Sequence, residues 1–402
     1  MPTVDELDLP VFQADDPEVV GDRFHQVLED LLDRHWLART EPFGFVVLER
    51  NAVDLVLRSR HARMPAIELL ELQGVTSGPM YEQLAGNLLN LHGEPHRQQR
   101  ALVQSAFSPQ AAQRLRPTMR AHLTALLDGL PADGRGDFVS LLAKPYPARM
   151  IAEIVGAPVE DAARLGEWAY WIQSTFDPGK VAGALPHIER AAAEFHDYVA
   201  ELLRTADAAG DHLLATLRPA LADGRLSDQE CVSLVGSVLI GGVDTTQAQL
   251  AHTVRLLAQH PEQWEVLVAD PSLVPQAVEE GLRYEPIAPF TARLVTEELE
   301  HEGVTFPPGT LLIACALTAN RSAEAYEAPR RFDITADRGD AKALSFGAGP
   351  HFCLGHALAR AELEEALALL VERFDRLELT GPPVYDTPPG VYGLHELPVR
   401  LG

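Results

Sequence analysis

The stretch Leu344-Ser-Phe-Gly-Ala-Gly-Pro-His-Phe-Cys-Leu-Gly-His356 sets one cysteine, Cys353, among three glycines and a proline, and a strongly helical segment follows at once. Glycine permits backbone angles closed to other residues, so this loop can curl tightly and lie against a flat ligand. A helix starting just after Cys353 brings free N–H groups and a positive dipole end near the sulfur. Both favour the thiolate, the form that binds a metal or attacks an electrophile. Phe346 and Phe352 can shield the sulfur from water. A lone cysteine is more often a small buried hydrophobe. A glycine-rich loop before a helix can also cradle phosphate, although such a site needs no cysteine and its lysine is missing here. With His351 or His356 as base, Cys353 could instead be a nucleophile. The residues alone leave metal thiolate and nucleophile in competition.

Composition narrows the setting. The 402 residues are 46% hydrophobic and 23% charged, with a net charge of −25. That balance excludes a nucleic-acid footprint, which needs clustered Lys and Arg, and reads as a solvated acidic surface. The three cysteines, Cys231, Cys315 and Cys353, are too scattered for a zinc pattern and too few for a disulfide framework. No run of eighteen uninterrupted apolar residues is present, so no membrane span is expected. The acidic start MPTVDELDLPVFQADDPEVV is unlike a signal peptide, which implies a cytoplasmic protein.

Strand-like patterns fall at Gly44–Leu48 and Thr310–Leu317. Amphipathic helices are expected over Pro117–Leu130, Ile188–Thr205 and Leu354–Phe374. The longest candidate runs from Ser227, an N-cap type, to Gln259 before Pro261, about 50 Å at about 1.5 Å per residue. The expectation is one mostly helical domain, residues 1–402, with a small β portion.

That long helix contains Leu239-Ile-Gly-Gly-Val-Asp-Thr-Thr-Gln247. Two interior glycines cost about 1 kcal/mol each relative to alanine, and threonine can bond back to a carbonyl one turn earlier and bend the helix. One reading is a groove that admits a small molecule, with Asp244 and Thr245 relaying protons. The other is a close helix crossing.

Together these motifs resemble those of the cytochrome P450 superfamily. Phe346-x-x-Gly349-x-x-x-Cys353-x-Gly355, continued by Leu358-Ala359-Arg360-x-Glu362, is similar to its haem-binding loop. Gly241-Gly242-x-Asp244-Thr245-Thr246 is similar to its oxygen-activation motif. Glu280-x-x-Arg283 and Pro329-Arg-Arg-Phe332 resemble its structural ion pair and the segment packed on it, although Glu94-x-x-Arg97 and Glu327-x-x-Arg330 carry the same spacing. The motifs run in family order from about residue 90 to residue 362, with Ala319-Asn320-Arg321 between two of them. Ala343 departs from the family, where many bacterial members have His.

The resemblance implies a soluble bacterial enzyme of the triangular-prism P450 fold, mostly α with small β-sheets, with haem b between the long central helix and the Cys-loop helix. Cys353 would be the iron ligand, in a loop shaped by Phe346, Gly347 and Gly355. The haem propionates would be held by His96, Arg100, Arg293 and His351. Asp244 and Thr245 would deliver protons, and Glu280 with Arg283 would serve folding. The implied reaction inserts one atom of O2, by hydroxylation or epoxidation, into a lipophilic small molecule. Electrons would come from a separate ferredoxin and ferredoxin reductase, docking near Arg97 and Arg360, to a monomer. By position, substrate contacts are expected from Val75–Asn87, Ser237, Ile240, Gly241, Pro289, Phe290, Thr291, Val391 and Tyr392. Three other functions fit the same motifs: a non-insertion oxidation such as desaturation or coupling, a non-catalytic haem-based ligand-binding protein, and a cysteine hydrolase without haem. Nothing in the residues selects a steroid, terpenoid, polyketide or fatty acid.

Overall fold

The computed structural model describes residues 1–14, 16–40, 44–65, 67–71, 74–176, 178–205, 210–388 and 390–402. In chain order, the α-helices of seven residues or more among them are α1 Gly21–Arg34, α2 Arg50–Arg58, α3 Pro79–Ala85, α4 Gly93–Val103 and α5 Pro109–Asp128. They continue as α6 Pro145–Val155, α7 Ala162–Gln173, α8 Pro178–Thr205, α9 Leu213–Ala222, α10 Asp228–Gly242 and α11 Asp244–Gln259. The last three are α12 Pro261–Ala269, α13 Val274–Tyr284 and α14 His356–Arg373. The protein is thus mostly helical with small sheets, as its periodicities imply. The chain forms two compact units, each assembled from separate stretches of sequence.

The first unit comprises Met1–Pro65, Gln276–Cys353 and Tyr385–Gly393. Its centre is a six-stranded mixed sheet in the order Val11–Phe12, Leu37–Thr40, Phe45–Val47, Leu311–Cys315, Phe290–Val295, Ala62–Arg63. Alternation along the strands sends side chains to two faces, and both are covered. Phe45, Val47, Leu312 and Ala314 join one apolar cluster, while Ala38, Val46 and Cys315 join another with Phe12, Phe24, Leu28 and Tyr392. The expected strand at 310–317 ends early, because Ala316–Ala319 turns into a short helix.

The second unit comprises Ala66–Pro275, Leu354–Val384 and Leu394–Gly402, with α3 to α12 and α14 around α10 and α11. The start of α10 is a capping box: Ser227 Oγ accepts the Glu230 N–H, and Glu230 Oε2 accepts the Ser227 N–H at 2.8 Å, satisfying two donors that the first turn leaves open. The expected single helix Ser227–Gln259 is broken. It ends at Gly242 and restarts at Asp244, with Val243 at φ −91°, ψ −74°. Thr245 Oγ1 donates to Gly241 O at 2.5 Å, and this back-bond across two glycines bends the helix at the acid–alcohol pair. The helix expected from Pro117 instead starts at Pro109, capped by Ser108, and Pro117 lies inside it. The proline at the first helical position was the earlier one.

Candidate haem-thiolate site

In the first unit the Cys353 loop is closed by its own backbone. The Cys353 N–H donates to Phe346 O at 2.9 Å, Gly347 N–H to Leu344 O at 2.8 Å, and Phe352 N–H to Gly349 O at 3.1 Å. Gly347 and Gly349 have φ near +70°, where a side chain would be strained, and a Cβ on Gly349 would meet Leu57 O at 2.8 Å. Phe346 and Phe352 flank the loop with ring centroids 6.5 Å apart. Cys353 is half-buried, and His351 is half-buried in the turn Gly349–His351.

The loop is anchored to α13. Asn320 Oδ1 accepts the Leu344 N–H at 2.6 Å, Asn320 Nδ2 donates to Ser345 Oγ, and Ser345 Oγ donates to Leu282 O at 2.6 Å. On the same helix, Arg283 grips Glu280 with two bonds of 2.7 and 2.8 Å, and both side chains are at most 3% exposed. The remaining Arg283 donors go to Asn320 O, Pro329 O and Arg331 O, so Pro329-Arg-Arg-Phe332 is held directly. Arg338 is a third member that no sequence signal marked: it donates to both oxygens of Glu280 at 2.6 and 3.1 Å. Such a buried, fully bonded ion cluster costs several kcal/mol if one partner is removed.

Arg293 lies on the strand Phe290–Val295 and is 3% exposed. Its Nη1 donates to Met64 Sδ at 2.7 Å and Ala292 O at 2.8 Å, and no carboxylate pairs with it among the described residues. Burial pushes its pKa down to about 10. A guanidinium buried without an anion is costly and well suited to a carboxylate arriving from outside the protein. Pro289 precedes the strand, and the Phe290 ring packs tilted against Phe12 and edge-on against Phe24. Thr291 and Val391 are half-buried, whereas Tyr392 is fully buried, its hydroxyl accepting the Gly21 N–H at 2.6 Å. Tyr392 is therefore part of the core beneath the sheet.

In the second unit, Ser237, Ile240, Gly241, Asp244 and Thr245 follow one another along α10 and α11. The two glycines divide the two sequence readings between them. A Cβ on Gly242 would lie 2.3 Å from Ile151 Cδ1, so this glycine is the close helix crossing. Gly241 is exposed, and a Cβ there would meet nothing within 4 Å among the described residues, so the space beside this glycine is open. Ile240 is 1% exposed. His96 on α4 is buried, and burial, followed by the charge of Arg100, lowers its pKa and so favours the neutral imidazole. Arg100 lies one turn further on, and Gly355 is the N-cap residue of α14. Arg97 is exposed and ion-paired with Glu94.

These residues suit haem. A thiol in a glycine loop could supply an iron ligand, and Arg293 is a buried cation with no carboxylate against it among the described residues. Gly241 leaves its side of the helix bare.

A family model described as Cytochrome P450 matches residues 176–401. Luteothin monooxygenase of Streptomyces thioluteus is 35% identical over 404 residues, covering 100% of this chain and 96% of that one. Cyclomarin C epoxidase of Salinispora arenicola is 35% identical over 323 residues, 79% of this chain and 81% of that one. Among solved structures, the crystal structure of CalO2 superposes with a TM-score of 0.92 at 30% identity, covering 98% of this chain and 99% of that one.

Proposed function

The chain belongs to the cytochrome P450 family and is a haem-dependent monooxygenase, and on that premise we propose that it inserts one atom of O2, by hydroxylation or epoxidation, into a lipophilic natural product. The observation that carries this reading is the helix break at Val243, where Thr245 is bonded to the carbonyl of an uncovered Gly241 beside Asp244. Haem, when bound, activates dioxygen with electrons delivered to it. Cys353 holds the iron as thiolate, and His96, Arg100, Arg293 and His351 hold the propionates. Asp244 would take a proton from solvent, and Thr245 Oγ1, once its bond to Gly241 O is released, would pass a proton on. Glu280, Arg283 and Arg338 keep the Cys353 loop in place.

The natural-product class is supported by the relatives, whose names include luteothin monooxygenase and cyclomarin C epoxidase. Gly241, Phe290, Thr291 and Val391, which are not fully buried, are our candidates for substrate contacts. Electrons come from a separate ferredoxin and its reductase, docking at Arg97 and Arg360. Charge reversal at those arginines slows reduction, and an unchanged reduction rate overturns that docking site.

The test is the absorbance spectrum of the dithionite-reduced protein under carbon monoxide, for wild type and Cys353→Ala. A strongly red-shifted Soret band that disappears in the variant is expected. A colourless protein, or a band indifferent to the mutation, overturns the assignment of Cys353.

A further inference from the structure

Ser237 stands one turn before Gly241 on α10 and is half-buried. Its hydroxyl donates to Ser233 O at 2.8 Å and accepts the Leu88 N–H at 2.9 Å. Its proton is thus held by its own helix, and a lone pair is held by the turn that joins α3 to α4. That turn is a self-bonded unit. Asn87 Oδ1 accepts the Leu89 N–H at 2.9 Å, Asn87 O accepts the Asn90 and Leu91 N–H groups, and Asn90 Nδ2 donates to Leu84 O at 2.8 Å. It also sits hard against α10. A Cβ on Gly86 would lie 2.5 Å from Ser233 Oγ, and one on Gly236 would lie 2.0 Å from Gln83 Nε2. Both glycines are there to let the segment approach. Helix α4, carrying His96 and Arg100, begins two residues after Leu91.

We propose that Ser237 is a positioning residue for the reaction. Through Leu88 it fixes the 86–91 turn, and hence α4, at one height on α10, so that His96 and Arg100 keep a set place relative to Gly241 and Thr245. It offers no hydrogen to the substrate. The proposal rests on the reading that His96 and Arg100 hold the propionates, and the experiment separates the two.

The holoenzyme is compared as wild type, Ser237→Ala, Ser237→Thr, His96→Ala and the double variant S237A/H96A. Amide hydrogen exchange is followed at Leu88, and haem loss is timed by transfer to excess apomyoglobin. In Ser237→Ala, Leu88 loses protection and haem leaves about 2- to 12-fold faster, the span of one net hydrogen bond. Ser237→Thr, which keeps the hydroxyl, stays near wild type. In the double variant the effect of Ser237→Ala on haem loss shrinks, because the two residues act through one helix. Unchanged Leu88 exchange in Ser237→Ala, with a raised KM for substrate, overturns the proposal. If His96→Ala alone does not hasten haem loss, the propionate reading fails, and Leu88 exchange still decides whether Ser237 holds the 86–91 turn.

Discussion

Glu362 carries a test of how the core of the second unit is built. It lies on α14 at 2% exposure, with Oε2 buried and without a partner among the described residues. The buried Tyr146 donates its hydroxyl to the main-chain oxygen of Glu362, not to the carboxyl. Burial alone raises the carboxyl pKa well above the usual range. The folded state therefore binds a proton that the unfolded state releases above about pH 4.3. Folding is opposed by at most about 1.4 kcal/mol for each pH unit above that value, as long as the buried form stays protonated. Between pH 5 and pH 7 this amounts to at most about 2.7 kcal/mol. At about 2.1 cal/mol/K per residue, the 402-residue chain would lose up to about 3 °C in Tm from this group over that range. Glu362→Gln preserves the shape and cannot ionise. Its amide adds buried donors at a cost of about 1–3 kcal/mol, but that cost is the same at every pH. Thermal unfolding of the holoenzyme at pH 5, 6 and 7 should show the wild type losing stability relative to the variant as pH rises. Parallel profiles would mean that Glu362 is ionised and paired, and the reasoning would be refuted.

Arg283→Lys replaces a fork that serves one carboxylate and three carbonyls with a point charge. It should cost about 3–5 kcal/mol, read as a fall in Tm and in haem content together. Gly242→Ala should destabilise by about 1–3 kcal/mol through its clash with Ile151, and Ile151→Val should restore much of the loss. Gly241→Ala has open space and should gain up to about 1 kcal/mol of helix propensity, so the two neighbouring glycines should move Tm in opposite directions. Arg293→Met removes a buried cation that has no carboxylate partner among the described residues. The haem-free protein should melt higher while the loaded protein loses haem faster, and a change of the same sign in both forms would exclude Arg293 as a propionate partner.

By itself the sequence marked the groups able to do chemistry, although the residues alone left Cys353 open between metal thiolate and nucleophile. A cysteine among glycines before a helix, an acid and a threonine after paired glycines, and an ion pair one helical turn apart are local patterns, because spacing along the chain sets what shares a loop or a helix face. It did not distinguish one Glu-x-x-Arg from another. Glu94–Arg97 is an exposed surface pair, Arg330 of the 327–330 pattern reaches Glu29 and Asp33, and only Glu280–Arg283 is buried. That difference comes from Arg338, Asn320 and the carbonyls of residues 329 and 331, which lie 37 to 58 positions away along the chain. Tertiary structure likewise decided that Gly242 packs and Gly241 does not, that Tyr392 belongs to the core, and that the Ser237 hydroxyl is already engaged. Each is a question of which distant atoms fill the space beside a residue. Burial and hydrogen-bond satisfaction are properties of that filled space, and periodicity along the chain carries no record of it.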